Sequence, residues 1–328
     1  MFSTRSVLFA GLLALSTAAT AWDRAAVQRF ATLPEGALNP EGIAVEPQSG
    51  DLYVTGFNPQ GTPPGKIYVF ADNGQYKRTI TVTGSSSALL GIDFHPATHA
   101  MLVADLGAGY LIDVNPHTGA ATPIMSVGPG AGLNALTFDH AGNIYVSGSF
   151  SGAIYKTGPN GGAATVWKQD ALLTTTGFPP FGANGLQFNR NESALFVANT
   201  GNDTVVRIAA NAGVAGAASV FTNSINGADG LILDEHDNVW VCANQADEIV
   251  VTDPTGKAIA KLGDFDGVRD GSPVGLLFPA SLARRGDWIY ITNLSLDLRP
   301  VVGQQSVDSQ WAAQVTRHTI SRLRARIP

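Results

Sequence analysis

One short phrase occurs twice in the chain, as "GANGLQF" at residues 182–188 and as "GADGLIL" at residues 227–233. Four further copies of the same unit align with these two by their first apolar run. The six runs are "GIAV" (42–45), "GIDF" (91–94), "ALTF" (135–138), "GLQF" (185–188), "GLIL" (230–233) and "SLAR" (281–284). Successive runs begin 49, 44, 50, 45 and 51 residues apart. A repeat of this length means that most of the chain consists of copies of one supersecondary unit.

Each unit has the pattern of a small set of strands. The first run is followed by a polar turn and then by a second run such as "LYVTG" or "IYVSG", and most units add a third and a fourth. Short runs rich in Val, Ile, Tyr and Phe between Gly, Asn and Asp are typical of antiparallel strands. Helical periodicity is almost absent after the N-terminal segment. The sequence therefore predicts an all-β protein, a six-bladed β-propeller of four-stranded antiparallel blades.

The two ends of the chain are predicted to share a blade. The segment "AVQRFATL" (26–33) holds the position of a fourth strand just before the first unit, and "RHTISRLRAR" (317–326) that of a third strand in the last unit. We therefore expect the N-terminal segment to be the outer strand of the sixth blade. This closure would remove an open sheet edge.

The first residues have the pattern of an export signal. Arg5 precedes the apolar run "VLFAGLLAL" (7–15), and the small residues "ATA" (19–21) provide a cleavage site. This predicts a signal peptide over residues 1–21 and one propeller domain over residues 22–328, secreted or periplasmic. The single cysteine, Cys242, is expected in the core, and one cysteine cannot form an intramolecular disulfide. An exported protein without disulfides suits a bacterial periplasm better than an extracellular, disulfide-rich scaffold.

Charge and hydropathy limit the kinds of molecule that the protein can bind. The formal net charge is −6 and no basic stripe is present, which argues against nucleic acid as a partner. No later segment is apolar over enough residues to span a membrane. We expect a monomer that acts on a small molecule.

One position in each unit carries most of the candidate chemistry. The residues immediately before the first runs are Glu41, Leu90, Asn134, Asn184, Asp229 and Ala280. A second set follows fifteen residues later in the first five units, and it includes Asp105, Ser149, Asn199 and Asn244. An antiparallel hairpin returns to the level at which it began, so both sets should lie at one end of the propeller, the first nearer the axis.

The four polar members of the first set, Glu41, Asn134, Asn184 and Asp229, are predicted to hold a metal ion. Such residues are also ordinary turn residues, but here four separate blades direct oxygen atoms toward one axis. Two carboxylates meeting there would repel each other unless a cation lies between them. Oxygen donors with two negative charges favour Ca²⁺, or another divalent cation. Zn²⁺ is disfavoured because no Cys or His belongs to the set.

Long connections on the same face predict a cavity above this site. They are residues 57–66, 169–182, 263–278 and about 294–311. Long loops at one end of a rigid scaffold usually carry function. Phe57, "FPPF" (178–181) and Trp311 could form an apolar wall or only pack the loops. We expect "GDFDGVRDG" (263–271) to be a solvated loop, and most histidines to lie in surface turns on the opposite face.

The motifs "PEGIAV", "LNALTF", "ANGLQF" and "ADGLILD" together resemble the senescence-marker-protein/gluconolactonase (regucalcin-like) family. They are also similar to squid-type diisopropyl-fluorophosphatase and to the paraoxonases. The resemblance implies a central Ca²⁺, hydrolysis of lactones, esters or organophosphates, and Asp229 as both metal ligand and nucleophile or base. Gly148 and Ser149 differ from the Arg and Asn that sugar-lactone members use, which disfavours a sugar-acid substrate.

Two functions follow as hypotheses. The first is an exported calcium-dependent hydrolase in which the metal acts as Lewis acid, Asp229 is catalytic, and Asp105, Ser149, Asn199 and Asn244 orient the ligands or contact substrate. The alternative is a non-catalytic secreted propeller that binds a protein or a glycan and carries a structural calcium ion.

Overall fold

The computed structural model describes residues 23–328. The predicted signal peptide, residues 1–21, lies outside the described residues, and the boundary at residue 22 stays a prediction. Within the described range, no helix is long and apolar enough to cross a bilayer.

Twenty-four of the strands form six sheets of four. The outermost N-terminal strand is β1 (Gln28–Thr32). Blade 1 contains β2 (Pro40–Val45), β3 (Leu52–Gly56), β4 (Gly65–Phe70) and β5 (Tyr76–Val82). Blade 2 contains β6 (Leu89–Phe94), β7 (Met101–Asp105), β8 (Tyr110–Val114) and β9 (Ala121–Ser126). Blade 3 contains β10 (Leu133–Phe138), β11 (Ile144–Gly148), β12 (Ala153–Thr157) and β13 (Thr165–Gln169).

The later blades follow the same plan. Blade 4 contains β14 (Ala183–Phe188), β15 (Ala194–Asn199), β16 (Thr204–Asn211) and β17 (Val214–Thr222). Blade 5 contains β18 (Ala228–Leu233), β19 (Val239–Ala243), β20 (Glu248–Thr252) and β21 (Ala258–Leu262). A separate hairpin, β22 (Phe265–Arg269) and β23 (Ser272–Gly275), comes next. Blade 6 adds β24 (Pro279–Arg285), β25 (Trp288–Asn293) and β26 (Thr319–Arg324).

The predicted closure is confirmed. Blade 6 has the strand order β1-β26-β25-β24, so the N-terminal strand is its outer edge. β1 pairs antiparallel with β26, with Gln28 opposite Arg322 and Thr32 opposite Thr319. The first and last strands of the described chain are therefore joined by backbone hydrogen bonds, and the ring of blades closes.

The core lies between the blades rather than on the axis. Among the described residues, six clusters of buried apolar side chains each occupy the space between two adjacent blades. The first strand of each blade packs against the first strands of its neighbours. Cys242 is fully buried in one of these clusters, as predicted. Each fully buried Val, Leu or Ile stabilises the fold by about 1.5–3 kcal/mol.

Two connections differ from the prediction. The segment 263–271, expected to be a solvated loop, supplies most of the β22–β23 hairpin. The connection after β25 contains two short helices, α1 (Arg299–Val302) and α2 (Ser309–Ala312). The blade 4 connection contains a 3₁₀ turn, Ala171–Leu173, in which the Asp170 side chain accepts a hydrogen bond from the backbone of Leu172.

Candidate metal centre

The four predicted donor residues line one small, open cavity of about 30 Å³ at the end of the propeller where the first strands begin. All four are buried, with exposed fractions of 3–5%. They are Glu41, Asn134, Asn184 and Asp229. Donors from blades 1, 3, 4 and 5 thus meet at one place, as the repeat pattern predicts.

A β-bulge sets the direction of each donor. We expected these residues to precede the first strands, but each is the second residue of its strand. Every first strand shifts register there, for example between Pro40 and Ile43 in blade 1 and between Ala228 and Leu231 in blade 5. A bulge places an extra residue against the partner strand and re-aims its side chain. The period-two alternation of a regular strand would not have indicated this.

Hydroxyl groups on the second strands satisfy the backbone of some bulges. In blade 1 the Thr55 Oγ1 accepts a hydrogen bond from the Gly42 N–H at 2.8 Å and donates one to the Leu90 carbonyl at 2.6 Å. In blade 6 the Thr292 Oγ1 accepts from the Ser281 N–H at 3.0 Å and donates to the Glu41 carbonyl at 2.6 Å. These bonds pair the unpaired N–H of the bulge and fix one blade to the next.

Glycine follows the bulged residue because neighbouring blades approach closely there. A Cβ at Gly42 would lie 2.4 Å from the Leu90 carbonyl oxygen, and one at Gly230 would lie 2.6 Å from that of Ala280. The repeated glycine in "EG", "NG" and "DG" therefore provides close packing around the axis rather than a turn.

Each of the two carboxyl groups has one oxygen atom without a partner. Glu41 Oε2 and Asp229 Oδ1 are buried atoms with no hydrogen-bond partner. No Lys, Arg or His belongs to the described residues that line the cavity. Burial raises the pKa of Glu41 well above its usual value, and the nearby charge of Asp229 raises it further. Burial raises the pKa of Asp229 to about 7, although the amides of Asn244 and Asn184 oppose the shift. Without a cation, this pair resists ionisation.

The amides of the set use their nitrogen atoms elsewhere. Asn134 Nδ2 donates to Ser149 Oγ at 3.1 Å, and Asn184 Nδ2 donates to Thr200 Oγ1 at 3.0 Å. Ser149 Oγ in turn donates to the Ala183 carbonyl at 2.6 Å. These bonds orient each amide and leave its Oδ1 free to accept, since no described residue donates to it.

The donor set fits a hard divalent cation. It offers two unpartnered carboxylate oxygens and two amide oxygens, and Ca²⁺ accepts oxygen ligands of this kind at irregular angles. A cation between the carboxyl groups would offset both their burial and their repulsion. The chemistry of the residues therefore agrees with the ion that the sequence predicts.

The second set of predicted residues divides in two. Asn244 Nδ2 donates to Asp229 Oδ2 at 2.7 Å, and Ser149 orients Asn134. Asp105 and Asn199 instead hold loops: the Asp105 carboxylate accepts from the backbone of Ser86 and Ala108, and Asn199 Nδ2 donates to two carbonyl groups of the 169–182 connection. Neither residue lines the cavity. Neither side chain forms a hydrogen bond to a predicted metal ligand, and their contact with substrate stays a prediction.

Sequence reasoning missed Thr200 and Gln245. Thr200, not Asn199, contacts Asn184, and Gln245 Nε2 donates to Asn244 Oδ1 at 2.9 Å. Each directly follows a residue of the second set, one position beyond the fifteen-residue spacing.

An apolar wall surrounds the mouth of the cavity. It contains Phe57, Leu90, Pro179, Phe181, Phe278, Leu294, Leu296 and Leu298. Of the two alternatives for Phe57 and the "FPPF" segment, the apolar wall is thus the one found, with Pro179 and Phe181 as the segment's lining residues. Trp311 does not take part; its ring packs against Phe265 with centroids 5.6 Å apart.

Two histidines are buried, contrary to expectation. His95 is 1% exposed because its ring accepts hydrogen bonds from its own turn and contacts the Gly142 carbonyl of the next blade. His318 is 3% exposed, and burial lowers its pKa to about 4. Neither lines the cavity.

Comparisons with solved structures show the same fold. A luciferin-regenerating enzyme matches with a TM-score of 0.65 and 17% identity over 91% of this chain and 95% of its own. A gluconolactonase from Xanthomonas campestris matches with a TM-score of 0.61 and 14% identity over 89% of this chain and 88% of its own. A calcium-binding protein, regucalcin, from Agrobacterium tumefaciens matches with a TM-score of 0.61 and 16% identity over 90% of this chain and 94% of its own. A search of curated protein sequences finds no match.

The family model of the SMP-30/gluconolactonase/LRE-like region matches residues 39–263. This range holds all four donor residues and covers more than half of the chain. Together with the six-bladed fold, the match shows that the chain belongs to the SMP-30/gluconolactonase/LRE-like family.

Proposed function

We propose that this protein is a calcium-dependent hydrolase of a lactone, an ester or a related organophosphate-like substrate. The observation that carries the proposal is the pair of buried, unpartnered carboxylate oxygens, Glu41 Oε2 and Asp229 Oδ1, which face a cavity that opens at the propeller end. Membership of a family that includes gluconolactonases, and the likeness to a calcium-binding propeller, support the reaction class and the ion.

Glu41, Asn134, Asn184 and Asp229 would hold the ion. When bound, Ca²⁺ supplies Lewis-acid polarisation of a carbonyl or phosphoryl oxygen. Asn244 fixes Asp229 by bonding its Oδ2, which leaves Oδ1 as the carboxylate oxygen without a hydrogen-bond partner. Through Oδ1 this carboxylate can either attack the substrate or accept a proton from a water molecule. Ser149 and Thr200 keep the amides of Asn134 and Asn184 from rotating.

The test is a panel of lactones, aryl esters and organophosphates, assayed with Ca²⁺ and with EGTA. We expect turnover of at least one class that EGTA abolishes and Ca²⁺ restores. The variant Asp229→Asn should lose at least about 10²-fold in kcat, as is usual when a general base is removed. Undiminished activity in Asp229→Asn would reject the proposal.

A second candidate function is a non-catalytic propeller with a structural ion, which binds a protein or a glycan. The observation in its favour is the depth of burial of the donor set, 3–5% exposed beneath an apolar wall. It predicts that chelation lowers the melting temperature while no member of the panel is hydrolysed.

We also propose export and a monomeric state. The N-terminal pattern of residues 1–21 supports export, and the acidic net charge together with the closed ring of blades supports a monomer. Cell fractionation with N-terminal sequencing tests the first, and sedimentation equilibrium tests the second.

A further inference from the structure

The cavity above the donor set is lined by hydrocarbon on the side of blades 6, 1 and 2. Leu90 lines the cavity in blade 2, where other blades carry a polar donor, and the equivalent Ala280 of blade 6 belongs to the same buried cluster. Phe57, Phe278, Leu294, Leu296 and Leu298 complete this wall, and they belong to one continuous buried cluster. On the opposite side, Pro179 and Phe181 extend the apolar lining from blade 4.

The segment after β25 forms the roof of this cavity, and its sequence alternates. Leu294, Leu296 and Leu298 are 1–7% exposed and face the cavity. Between them, Asp297 forms an ion pair with Arg299 at 2.7 Å on the outer side.

Hydrogen bonds hold the roof in place. The Leu294 N–H donates to the Phe278 carbonyl at 3.0 Å, and Asn39 Nδ2 donates to the Leu294 carbonyl at 3.0 Å. Ser295 Oγ donates to the Leu277 carbonyl at 3.2 Å, and Gln60 Nε2 donates to the Pro300 carbonyl. The leucines are therefore fixed components of the cavity wall.

The lining of the cavity offers few hydrogen-bond donors. The amide nitrogens of Asn134, Asn184 and Asn244 are bonded to Ser149, Thr200 and Asp229. No Arg, Lys or His lines the cavity among residues 23–328. The hydroxyl groups of a polyhydroxylated ring that lie against the apolar wall of Phe57, Phe278 and the leucines would be buried without partners, and each would weaken binding by roughly tenfold.

We infer that this site selects lactones or esters that carry an apolar chain or ring, and that it discriminates against polyhydroxylated sugar lactones. The inference rests on the proposed function for the hydrolysed bond. The wall of Phe57, Phe278 and the three roof leucines would take up the apolar group, while the donor set faces the ester carbonyl.

The experiment compares a series of γ-alkyl-γ-lactones of increasing chain length with glucono-1,5-lactone. In parallel, calorimetry measures the binding of 3-alkylcyclopentanones, which have the same shape but cannot be hydrolysed, in the presence of Ca²⁺. We expect kcat/KM and ketone affinity to rise by roughly fourfold per methylene until the cavity is filled. Gluconolactone should be the poorest substrate.

Two variants of the apolar wall and one control variant test whether the wall causes the dependence on chain length. Leu296→Ser should flatten the dependence on chain length, and Leu296→Trp should shift its optimum to shorter chains by filling the cavity. Val307→Ser is the matched control, because Val307 lies in the same connection but is 66% exposed. It should leave the chain-length dependence unchanged. Circular dichroism melting verifies that each variant folds.

The outcomes separate the two proposals. Ketone binding that strengthens with chain length, without hydrolysis of any lactone, supports the apolar site and contradicts the hydrolase. Gluconolactone hydrolysed as fast as the alkyl lactones, or a chain-length dependence equal in wild type and Leu296→Ser, overturns the apolar site and leaves the hydrolase standing.

Discussion

The residues that matter most are two carboxyl groups that the fold buries together. Each sits on a β-bulge, each keeps one oxygen atom without a partner, and their pKa values rise. A buried charge without compensation is strongly unfavourable. Such an arrangement destabilises the protein without metal and favours the one with a cation bound.

Glu41→Gln is predicted to stabilise the metal-free protein and to abolish its response to calcium. The substitution keeps the shape but removes one charge of the pair, which should raise the free energy of unfolding in EGTA at pH 8 by roughly 1–3 kcal/mol. In wild type, Ca²⁺ at about 100 times its dissociation constant should add about 2.7 kcal/mol. Thermal melting with EGTA and with Ca²⁺ measures both effects.

Asp139→Asn is the matched control. Asp139 is a buried carboxylate, but it accepts hydrogen bonds from Asn143 and from the Tyr145 hydroxyl. Its replacement should destabilise the protein and preserve the calcium response. A Glu41→Gln protein that still gains stability from Ca²⁺ would contradict the assignment of Glu41.

At the scale of elements, the bulged first strands connect the fold to the site. Gly230→Ala should push the Asp229 bulge against blade 6, since the new Cβ would lie 2.6 Å from the Ala280 carbonyl oxygen. Overpacking of this kind costs about 1–3 kcal/mol. We expect a lower melting temperature and weaker calcium binding by calorimetry.

Gly158→Ala provides the comparison, because its Cβ would approach no atom closer than 3.6 Å. It should leave calcium affinity unchanged. Equal calcium affinity in Gly230→Ala and wild type would show that the bulge does not position Asp229.

A second pair of carboxyl groups interacts electrostatically: Asp247 lies in blade 5, and Asp308 lies in the connection that roofs the cavity. Asp247 Oδ1 accepts a hydrogen bond from the Phe278 N–H at 2.7 Å, and Asp308 Oδ2 is buried without a partner. Burial, together with the charge of Asp308, raises the pKa of Asp247 to about 8, and burial raises that of Asp308 to about 6. Between about pH 4, the ordinary pKa of an aspartate, and about pH 8, the folded state therefore binds more protons than the unfolded state.

The pair should make stability fall with rising pH. Below about pH 4 both carboxyl groups are protonated in the folded and the unfolded state, so they do not destabilise the fold. As the pH rises toward about 8, the unfolded state loses its protons first, and the free energy of unfolding decreases. Asp247→Asn keeps the acceptor for Phe278 and should flatten this decline, with a higher melting temperature than wild type at pH 8. Asp287→Asn, at a side chain that is 90% exposed, should not. Parallel melting curves for Asp247→Asn and wild type from pH 5 to pH 8 would refute the coupling.

Local sequence predicted the repeated elements well and their exceptions poorly. The periodic apolar runs located the blades, the closing strand and the donors Glu41 and Asp229, because burial on both faces of a blade demands that pattern. The hairpin β22–β23 was missed, since Asp and Gly dominate its sequence. The roof was missed too: Leu294, Leu296 and Leu298 acquire their role only through contact with Phe57 and Phe278, which are far away in the chain.

At the scale of the whole molecule, the ring of blades is what creates the site. No blade supplies more than one of the four donors, and blades 2 and 6 contribute Leu90 and Ala280 at the equivalent positions. Closure through β1 and β26 keeps the donors around one axis. Family membership and fold do not by themselves determine a reaction, so the account depends on a cation in that ring.

The most direct measurement is a crystal structure of the protein grown with Ca²⁺, with the ion identified by anomalous scattering. The account predicts one ion bonded to Glu41 Oε2 and Asp229 Oδ1 and to the amide oxygens of Asn134 and Asn184, each at about 2.3–2.6 Å. A structure at saturating Ca²⁺ in which these two carboxyl groups share a proton, with no ion between them, would contradict it.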